Sequence, residues 1–281
     1  MPVKIITDST AYIDRRLLKE LDITEVSMTV NFEEHSCLET ELANEEFYQR
    51  IAKMAKLPTS SQPSPLTFYQ AFLEKVEQGY DVLSVLLSSN LSGTYFSAVQ
   101  GRDMVLQKYP EANIEIIDTR TTVMAMGLVA LSLARFVQEG STLPETVAKA
   151  HDLLSRSKIF FIPKTLDHLK KGGRIGEAAA LLGSLLQITP ILTVKGPVTV
   201  FEKVRTFEKA VKRMLAVYEE DANTKGIEAV AVHHINSLEE GQRLVEQVQK
   251  ITDLEVPLRP IGPVLGIHVG PGTLGLAYTT K

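Results

Sequence analysis

The chain has very little cysteine and no strong excess of charge of either sign. Cys37 is the only cysteine among 281 residues, which excludes an internal disulfide framework and a zinc site built from several thiolates. The formal net charge is −4, and no dense stripe of Lys and Arg with interleaved aromatic residues occurs. We therefore expect a protein of a reducing cytoplasm that has no nucleic-acid partner.

A long hydrophobic run is also missing. The longest apolar stretch, Val123 to Ala134, is interrupted by Ser132 and followed by Arg135. It is shorter than the roughly 20 residues that span a bilayer, so it predicts a buried core helix. The N-terminal sequence reaches Asp8 before a signal-peptide core can form. We expect no integral membrane segment, which leaves transient contact with a membrane open.

The common catalytic motifs are absent. Residues 270–275 match G-x-G-x-x-G, but only six residues follow, and they read as a strand rather than as the helix that a dinucleotide site needs. There is no Gly-Lys dipeptide for a phosphate-binding loop and no G-x-S-x-G nucleophile elbow. His233 and His234 stand outside any H-E-x-x-H frame and would face opposite sides of a strand. We expect neither a metal nor a cofactor.

Short β-branched runs alternate with helical patterns through the first half of the chain. This order predicts an α/β fold, with a parallel sheet covered by helices on both faces. We expect a Rossmann-like N-terminal domain over residues 1–155. Its predicted elements are the strands Val3–Thr7, Glu25–Phe32, Val82–Leu87 and Ile114–Ile117 and the helices Asp14–Leu21, Glu45–Lys56, Leu66–Gln78, Ser92–Lys108 and Thr121–Glu139.

The second half mixes hairpins with helices, which is typical of an α+β layer. Lys195-Gly196-Pro197 predicts a hairpin turn. We expect a second domain over residues 156–281. Its predicted elements are the strands Lys158–Ile162, Ile188–Val194, Val198–Arg205 and Val230–His233, a strand from Leu276, and the helices Leu166–Lys171, Glu177–Leu186, Glu208–Asp221 and Leu238–Lys250.

Polar residues follow three predicted strands, at Thr7–Thr10, Ser88–Thr94 and Asp118-Thr119. Ligands of open parallel sheets bind outside the carboxyl ends of the strands, so three such ends favour a site. The alternative is that each hydroxyl or carboxylate caps the helix that follows it.

The stretch from Ile261 to Gly275 holds five glycines and two prolines around His268. Because glycine and proline both disfavour helix, we expect a non-helical loop that brings bare backbone to a ligand and holds one imidazole. Such a segment supplies few core side chains around His268, so a functional role for this histidine is favoured over a purely structural one.

The remaining polar residues are rich in hydroxyl groups. Thr59, Ser60 and Ser61 lie in a segment that flanking prolines keep extended, and Ser92-Gly93-Thr94 opens a helix whose amides favour an anion. Arg174 follows a glycine turn. Hydroxyl groups with one imidazole suit a carboxylate better than a polyphosphate, which usually recruits several cations or Mg²⁺.

With these residues assembled, the chain resembles the DegV family of bacterial fatty-acid-binding proteins. Each motif is short, but six of them in order across the chain are specific. The motifs are Thr7-Asp-Ser-Thr10, Ser60-Ser-Gln-Pro-Ser64, Leu91-Ser-Gly-Thr-Tyr95, Leu169-Lys-Lys-Gly-Gly-Arg-Ile175, Lys203-Val-Arg-Thr206 and the His268 loop.

The resemblance implies a non-catalytic carrier for one long-chain fatty acid. The acyl chain would lie in the C-terminal domain, and its carboxylate would be bound by Ser60, Ser92 and His268 at the domain interface. Supporting contacts would come from Thr59, Ser61, Gly93 and Thr94. The resemblance also implies a partner fatty acid kinase, similar to dihydroxyacetone kinases, that forms an acyl phosphate with help from Arg174. The apolar residues expected near the acyl chain, or else in plain core, are Leu181, Leu182, Leu185, Leu186, Ile188, Ile191 and Leu192.

Two other functions remain open from the sequence. A lipid or acyl-ester hydrolase would use Ser92 as nucleophile and His268 as general base, with Asp8 or Asp118 approaching in space to orient the imidazole. A regulatory module that senses a lipid needs the same pocket as the carrier. The sequence does not specify the chain length or unsaturation of the acid, the oligomeric state or the presence of a matching kinase.

Overall fold

The computed structural model describes residues 1–182 and 188–281. The strands are β1 Val3–Asp8, β2 Thr24–Val26, β3 Thr29–Asn31, β4 Ser36–Leu38, β5 Thr59–Ser61, β6 Asp81–Leu86, β7 Ile114–Asp118, β8 Ser157–Ile162, β9 Thr189–Val194, β10 Val198–Val204, β11 Ile227–His234, β12 Leu258–Pro260 and β13 Leu274–Thr280. The α-helices are α1 Arg15–Glu20, α2 Asn44–Ile51, α3 Pro65–Glu77, α4 Thr94–Lys108, α5 Val123–Gln138, α6 Leu143–Arg156, α7 Asp167–Lys171, α8 Phe207–Lys225, α9 Leu238–Gln249 and α10 Pro263–Val269.

The first sheet is parallel, with strand order β2-β1-β6-β7. Every residue of β6 is buried, as expected for a parallel strand that is covered on both faces. Neighbouring residues of β1, Ile5 and Ile6, belong to two different hydrophobic clusters, one with α5 and the other with α3 and α4. The predicted Rossmann-like α/β sheet is confirmed.

The second sheet has the order β10-β9-β8-β13-β11-β12, and only its β11–β12 pair is parallel. Gly196, at φ +88°, turns the predicted hairpin between β9 and β10. The helices α8 and α9 pack on the outer face of this sheet. All strands of the first sheet precede α6, and all strands of the second follow it, while the division into residues 1–155 and 156–281 stays a prediction.

Helix α5 lies between the two sheets, where it contacts β1 and β6 as well as β8, β11 and β13. Its residues from Val123 to Leu131 are all buried. A helix that is apolar on every side is stable only when it is surrounded by protein or lipid. The predicted core helix is therefore confirmed, and its N-terminus lies beside the second sheet.

Two predicted elements are wrong in part. The strand expected over Glu25–Phe32 is two strands, β2 and β3, because the chain leaves the parallel sheet after Val26 and pairs β3 with β4 and β5 in a small antiparallel sheet. The helix expected over Glu177–Leu186 is a 3₁₀ helix over Gly176–Leu181, and Leu185 and Leu186 lie outside the described residues. The elements β4, β5, β12, α6 and α10 were not predicted.

The expectation that the stretch from Ile261 to Gly275 cannot be helical is wrong. Helix α10 begins at Pro263, where the missing amide costs nothing because the first turn has no acceptor for it. Gly266 sits inside the helix because a Cβ there would lie 2.2 Å from the Tyr48 hydroxyl. Gly270, at φ +90°, ends the helix. Three glycine and proline positions therefore serve helix ends and close packing rather than preventing the helix.

Candidate functional site

A cavity opens between α5, the second sheet and the segment that carries α10. It encloses about 930 Å³ of space between atoms, part of which is open to solvent. Its walls come from both halves of the chain and are mainly apolar. Among the described residues they include Met28, Leu87, Leu91, Val123, Ile159, Phe161, Leu169, Val194, Val198, Ile235, Ile261, Val264, Leu265 and Val269.

Five polar residues line one part of this cavity and are half-buried or exposed, and we call them the polar cluster. They are Ser60, Gln62, Ser92, Arg174 and His268. The shortest contact among them joins Ser60 Oγ to His268 Nε2, at 2.8 Å. These two residues are 208 positions apart in the sequence. The fold thus brings together two of the three predicted carboxylate-binding residues.

His268 is positioned by the way α10 is attached to the N-terminal half. The buried carboxylate of Glu39 accepts hydrogen bonds from the Val264 amide at 2.9 Å and the Tyr12 hydroxyl at 2.8 Å. The Tyr48 hydroxyl donates to the Ile261 carbonyl at 2.9 Å. These bonds fix the beginning of α10, and His268 follows one turn later on the same helix.

The His268 ring is held neutral. Burial, the charge of Arg174 and the neighbouring His168 lower its pKa from 6.5 to about 4. Its Nδ1 atom is buried without a hydrogen-bond partner among the described residues. Gly172 lies against that atom so closely that a Cβ would stand 2.3 Å from it. The first glycine of the Lys-Lys-Gly-Gly-Arg turn is therefore needed to leave room for the imidazole.

Ser92 lies just before α4, with Gly93 as the N-cap residue of the helix. The Ser92 hydroxyl is 2.9 Å from that of Thr94, and the Thr94 hydroxyl donates to Met28 Sδ at 3.5 Å. Gly93 is in contact with Gln62, whose amide would be 2.4 Å from an added Cβ. This contact joins the Ser92 loop to the segment that carries Ser60.

Arg174 is exposed, and its guanidinium donates to the Leu91 carbonyl at 3.0 Å and to the Gly172 carbonyl at 2.8 Å. It therefore connects the glycine turn, which packs on His268, with the residue immediately before Ser92. The geometry leaves a positive charge at the solvent side of the polar cluster.

Thr59 and Ser61 are exposed, whereas Ser60 between them is half-buried. Alternate residues of β5 face opposite sides, so these two side chains point away from the cavity, and Ser61 accepts from Asn31 at 2.8 Å. The structure does not bring them to the polar cluster, and their supporting role stays a prediction.

The polar residues at two of the three strand ends bind protein rather than a ligand. Asp8 accepts from the Leu87 amide at 2.9 Å, and Asp118 accepts from the Ser89 amide at 3.1 Å. Both carboxylates tie the end of one strand to the loop after β6. Asp8 also caps the short 3₁₀ helix Ser9–Ala11 by accepting from the Thr10 amide, so the capping alternative holds for Asp8. Among these three ends, only the loop with Ser92 reaches the cavity.

The expected acyl-chain residues are placed differently. Ile191 is buried in the cluster on the far side of the second sheet, with α8 and α9. Leu192 belongs to the central core without lining the cavity. Val194, Val198, Ile159 and Phe161 line it instead. The sequence indicated the right hairpin but not which of its faces is turned inward.

The site lacks the arrangement that a hydrolase would need. His268 Nε2 contacts Ser60 rather than Ser92, and no carboxylate among the described residues bonds its Nδ1 atom. Asp8 and Asp118 are engaged elsewhere. An imidazole acting as general base is normally oriented by a third group, so this geometry does not favour Ser92 as a nucleophile.

Within residues 1–182 and 188–281, no group of three or more His, Cys, Asp and Glu side chains is placed to hold a metal ion. No helix in this part of the chain combines the length and the apolar character that crossing a membrane requires.

Known proteins resemble the chain over its whole length. The model of a family described as "Uncharacterised protein, DegV family" matches residues 2–281. A DegV domain-containing protein of Clostridium acetobutylicum is 43% identical over 100% of this chain and 99% of its own.

Solved structures of related proteins also resemble the chain over nearly its whole length. A fatty-acid-binding DegV family protein of Thermus thermophilus superimposes with a TM-score of 0.90 at 29% identity, over 100% of both chains. A stearic acid-binding protein of Eubacterium ventriosum has a TM-score of 0.90 at 30% identity, over 99% of this chain and 98% of its own. On the full-length match of the family model and the identity to its members, the chain belongs to the DegV family.

Proposed function

We propose that this protein binds one long-chain fatty acid in the cavity and presents its carboxylate to a partner kinase. The observation that carries the proposal is the contact between Ser60 and His268 where an apolar cavity reaches solvent. Two structurally similar proteins of the family are described as binding fatty acids. The fatty acid is the ligand, and no cofactor or metal is needed.

The cavity walls supply the affinity. Transfer of an acyl chain from water is worth roughly 0.8 kcal/mol per methylene, so a chain of about 16 carbons offsets the cost of ordering ligand and protein. The polar cluster then needs only to orient the head group.

A relay of hydrogen bonds suits a carboxylate at Ser60. A neutral His268 that carries its proton on Nε2 donates to Ser60 Oγ, which leaves the Ser60 hydroxyl proton free to donate to a carboxylate oxygen. The Ser92 hydroxyl is the second donor once its proton turns from Thr94 to the carboxylate, and Arg174 adds positive charge on the solvent side. The carboxylate therefore meets donors without a buried counter-ion.

The kinase step rests on the resemblance to the DegV family, and the exposed Arg174 beside the polar cluster supports it. The acyl chain would be enclosed, and the carboxylate would lie at the polar cluster. The carboxylate oxygen could then attack the terminal phosphate of ATP only from the side of Arg174. A kinase similar to dihydroxyacetone kinases would dock there in the cytoplasm, and the product would be an acyl phosphate. A lipid-sensing module would use the same cavity but would yield no acyl phosphate.

The test compares fatty-acid binding by the wild type, Ser60→Ala and Ser61→Ala. Ser61→Ala is the matched control, because this hydroxyl is on the same strand but points away. Ser60→Ala should weaken binding by roughly fivefold to 100-fold, as expected when a head-group hydrogen bond is lost. Equal affinities of the two variants would overturn the assignment of the head-group site.

A further inference from the structure

The cavity contains a second polar site, set in buried walls. Thr122 and His233 line it and are 4% and 3% exposed, respectively. Thr122 Oγ1 and His233 Nδ1 have no hydrogen-bond partner among the residues that the structure describes. We call these two side chains the inner polar pair. The half-buried or exposed polar cluster, in contrast, lies where the cavity meets solvent.

His233 is fixed in one orientation and one tautomer. Its Nε2 atom accepts a hydrogen bond from the Met124 amide, in the first turn of α5, at 3.2 Å. An imidazole nitrogen that accepts a hydrogen bond carries no proton, so the proton of the neutral ring is on Nδ1. Burial, together with His234 and Arg259, lowers the pKa of His233 to about 3, which keeps the ring neutral. Its Nδ1–H is therefore a permanent donor.

Thr122 precedes α5 as its N-cap residue, yet its side chain makes no capping hydrogen bond. A threonine at this position normally accepts from an amide of the first turn, but here His233 accepts the Met124 amide instead. The next residue, Val123, has φ +49°, which is strained for a β-branched side chain. The start of α5 thus holds an uncommitted hydroxyl at the cavity wall.

The register of the second sheet places a glycine next to His233. His233 of β11 is opposite Gly275 of β13, and Gly275 is opposite Phe161 of β8. All three line the cavity. A Cβ on Gly275 would lie 3.3 Å from the Phe160 carbonyl oxygen and 3.5 Å from the Cβ atoms of His233 and Phe161. Glycine therefore keeps this part of the cavity wall free of a side chain between the two rings.

We propose that the inner polar pair selects a long-chain fatty acid that carries a hydroxyl group on its acyl chain. The inference rests on the proposed function, because it concerns the same cavity. His233 Nδ1–H donates to the ligand hydroxyl oxygen, and the ligand hydroxyl donates to Thr122 Oγ1. An unsubstituted chain would leave both buried groups unpaired, which carries a desolvation penalty. A hydroxyl at the matching carbon removes that penalty.

The test uses octadecanoic acid and a set of octadecanoic acids with one hydroxyl group at successive mid-chain carbons. Each is titrated into delipidated wild-type protein, Thr122→Val and Thr121→Val. Thr122→Val keeps the shape and removes the hydroxyl. Thr121→Val is the matched control, because Thr121 Oγ1 is also buried without a partner among the described residues but does not line the cavity.

The wild type should bind the acids hydroxylated at one or two neighbouring positions at least roughly fivefold more tightly than octadecanoic acid. Thr122→Val should reduce this preference to less than about twofold and should bind octadecanoic acid at least as tightly as the wild type, because it has no Thr122 hydroxyl to leave unpaired, while Thr121→Val keeps the preference. Binding of octadecanoic acid with no preferred position, or a preference that survives Thr122→Val, would overturn the inference alone. Failure of every acid to bind would overturn the proposed function and the inference with it.

Discussion

His268 Nε2 and Ser60 Oγ are 2.8 Å apart although 208 positions of sequence separate them. One is on α10 in the C-terminal half, and the other is on β5 in the N-terminal half. Their contact depends on Glu39 and Tyr48, which attach α10 to the first half of the chain. Changes that loosen this attachment should therefore alter the site without touching it directly.

Gly172→Ala should weaken fatty-acid binding because its Cβ would stand 2.3 Å from His268 Nδ1 and displace the ring. The φ of Gly172 is −77°, which alanine adopts freely, so the effect arises from contact and not from backbone strain. We expect a loss of roughly tenfold, equivalent to one head-group hydrogen bond. Calorimetric titration with palmitic acid measures it.

Gly173→Asn is the control for that variant. Gly173 has φ +68° with no atom within 4 Å of an added Cβ, and asparagine tolerates this conformation. Its affinity should match the wild type. If both variants bind equally well, the close packing of Gly172 on His268 does not position the imidazole.

Stability should fall in acid because His268 resists protonation in the folded protein. Its pKa is lowered from 6.5 to about 4, so between these values the unfolded chain binds a proton that the folded protein does not. The free energy of unfolding, taken relative to His268→Gln, should decrease by up to about 1.4 kcal/mol per unit of falling pH. Urea titrations across this window measure it. A constant difference between the two proteins would contradict the assignment.

The comparison with His268→Gln also removes the contribution of Glu25 to the pH dependence of stability, which has the opposite sign. Burial and the neighbouring carboxylates of Glu39 and Asp8 raise the pKa of Glu25 to about 7. A raised carboxyl pKa lowers stability as pH increases, and this contribution is common to both proteins. It therefore cancels in the difference.

Tyr48→Phe should destabilise the protein by about 1 kcal/mol, because the Ile261 carbonyl loses its hydroxyl donor. Since this bond holds the beginning of α10, affinity for palmitic acid should fall by roughly twofold to fivefold as well. Chemical denaturation and ligand titration measure the two effects. Tyr69→Phe is a suitable comparison on another helix. Lower stability with unchanged affinity would show that the His268 position does not depend on this attachment.

Arg174→Ala should leave fatty-acid binding within about twofold and reduce acyl-phosphate formation by roughly tenfold or more, because the guanidinium is exposed beside the head-group site. The assay needs a purified fatty acid kinase and loaded carrier. Arg243→Ala, on the exposed side of α9, is the control for loss of a surface arginine. Loss of binding by a folded Arg174→Ala protein would instead make Arg174 a carboxylate ligand.

The sequence predicted much of the fold because the relevant signals are local. Apolar periodicity and turn residues identified the parallel strands, the buried helix α5 and the hairpin at Gly196. Helix α10 escaped prediction because Gly266 and Gly270 were taken as helix breakers. Gly266 is needed for its close approach to Tyr48, which is more than 200 residues away in the sequence, and Gly270 ends the helix at φ +90°.

The sequence indicated which residues line the candidate site but not which contacts they make. Ser60, Ser92 and His268 carry motifs, and the fold brings them to one cavity. No local signal shows that Gly172 makes room for His268. Nothing local shows that His233 reaches the start of α5 either, because that contact joins residues 109 positions apart. Glu39 was missed for the same reason, since its partner amide belongs to Val264.

Mass spectrometry of freshly purified protein tests the central claim most directly. Spectra under native conditions give the mass of the loaded protein, and organic extraction of the denatured protein identifies what was bound. Our account predicts one long-chain fatty acid of about 14–18 carbons per chain, whose methylenes are buried against the apolar walls. A protein that carries no lipid and takes up no added fatty acid would contradict it.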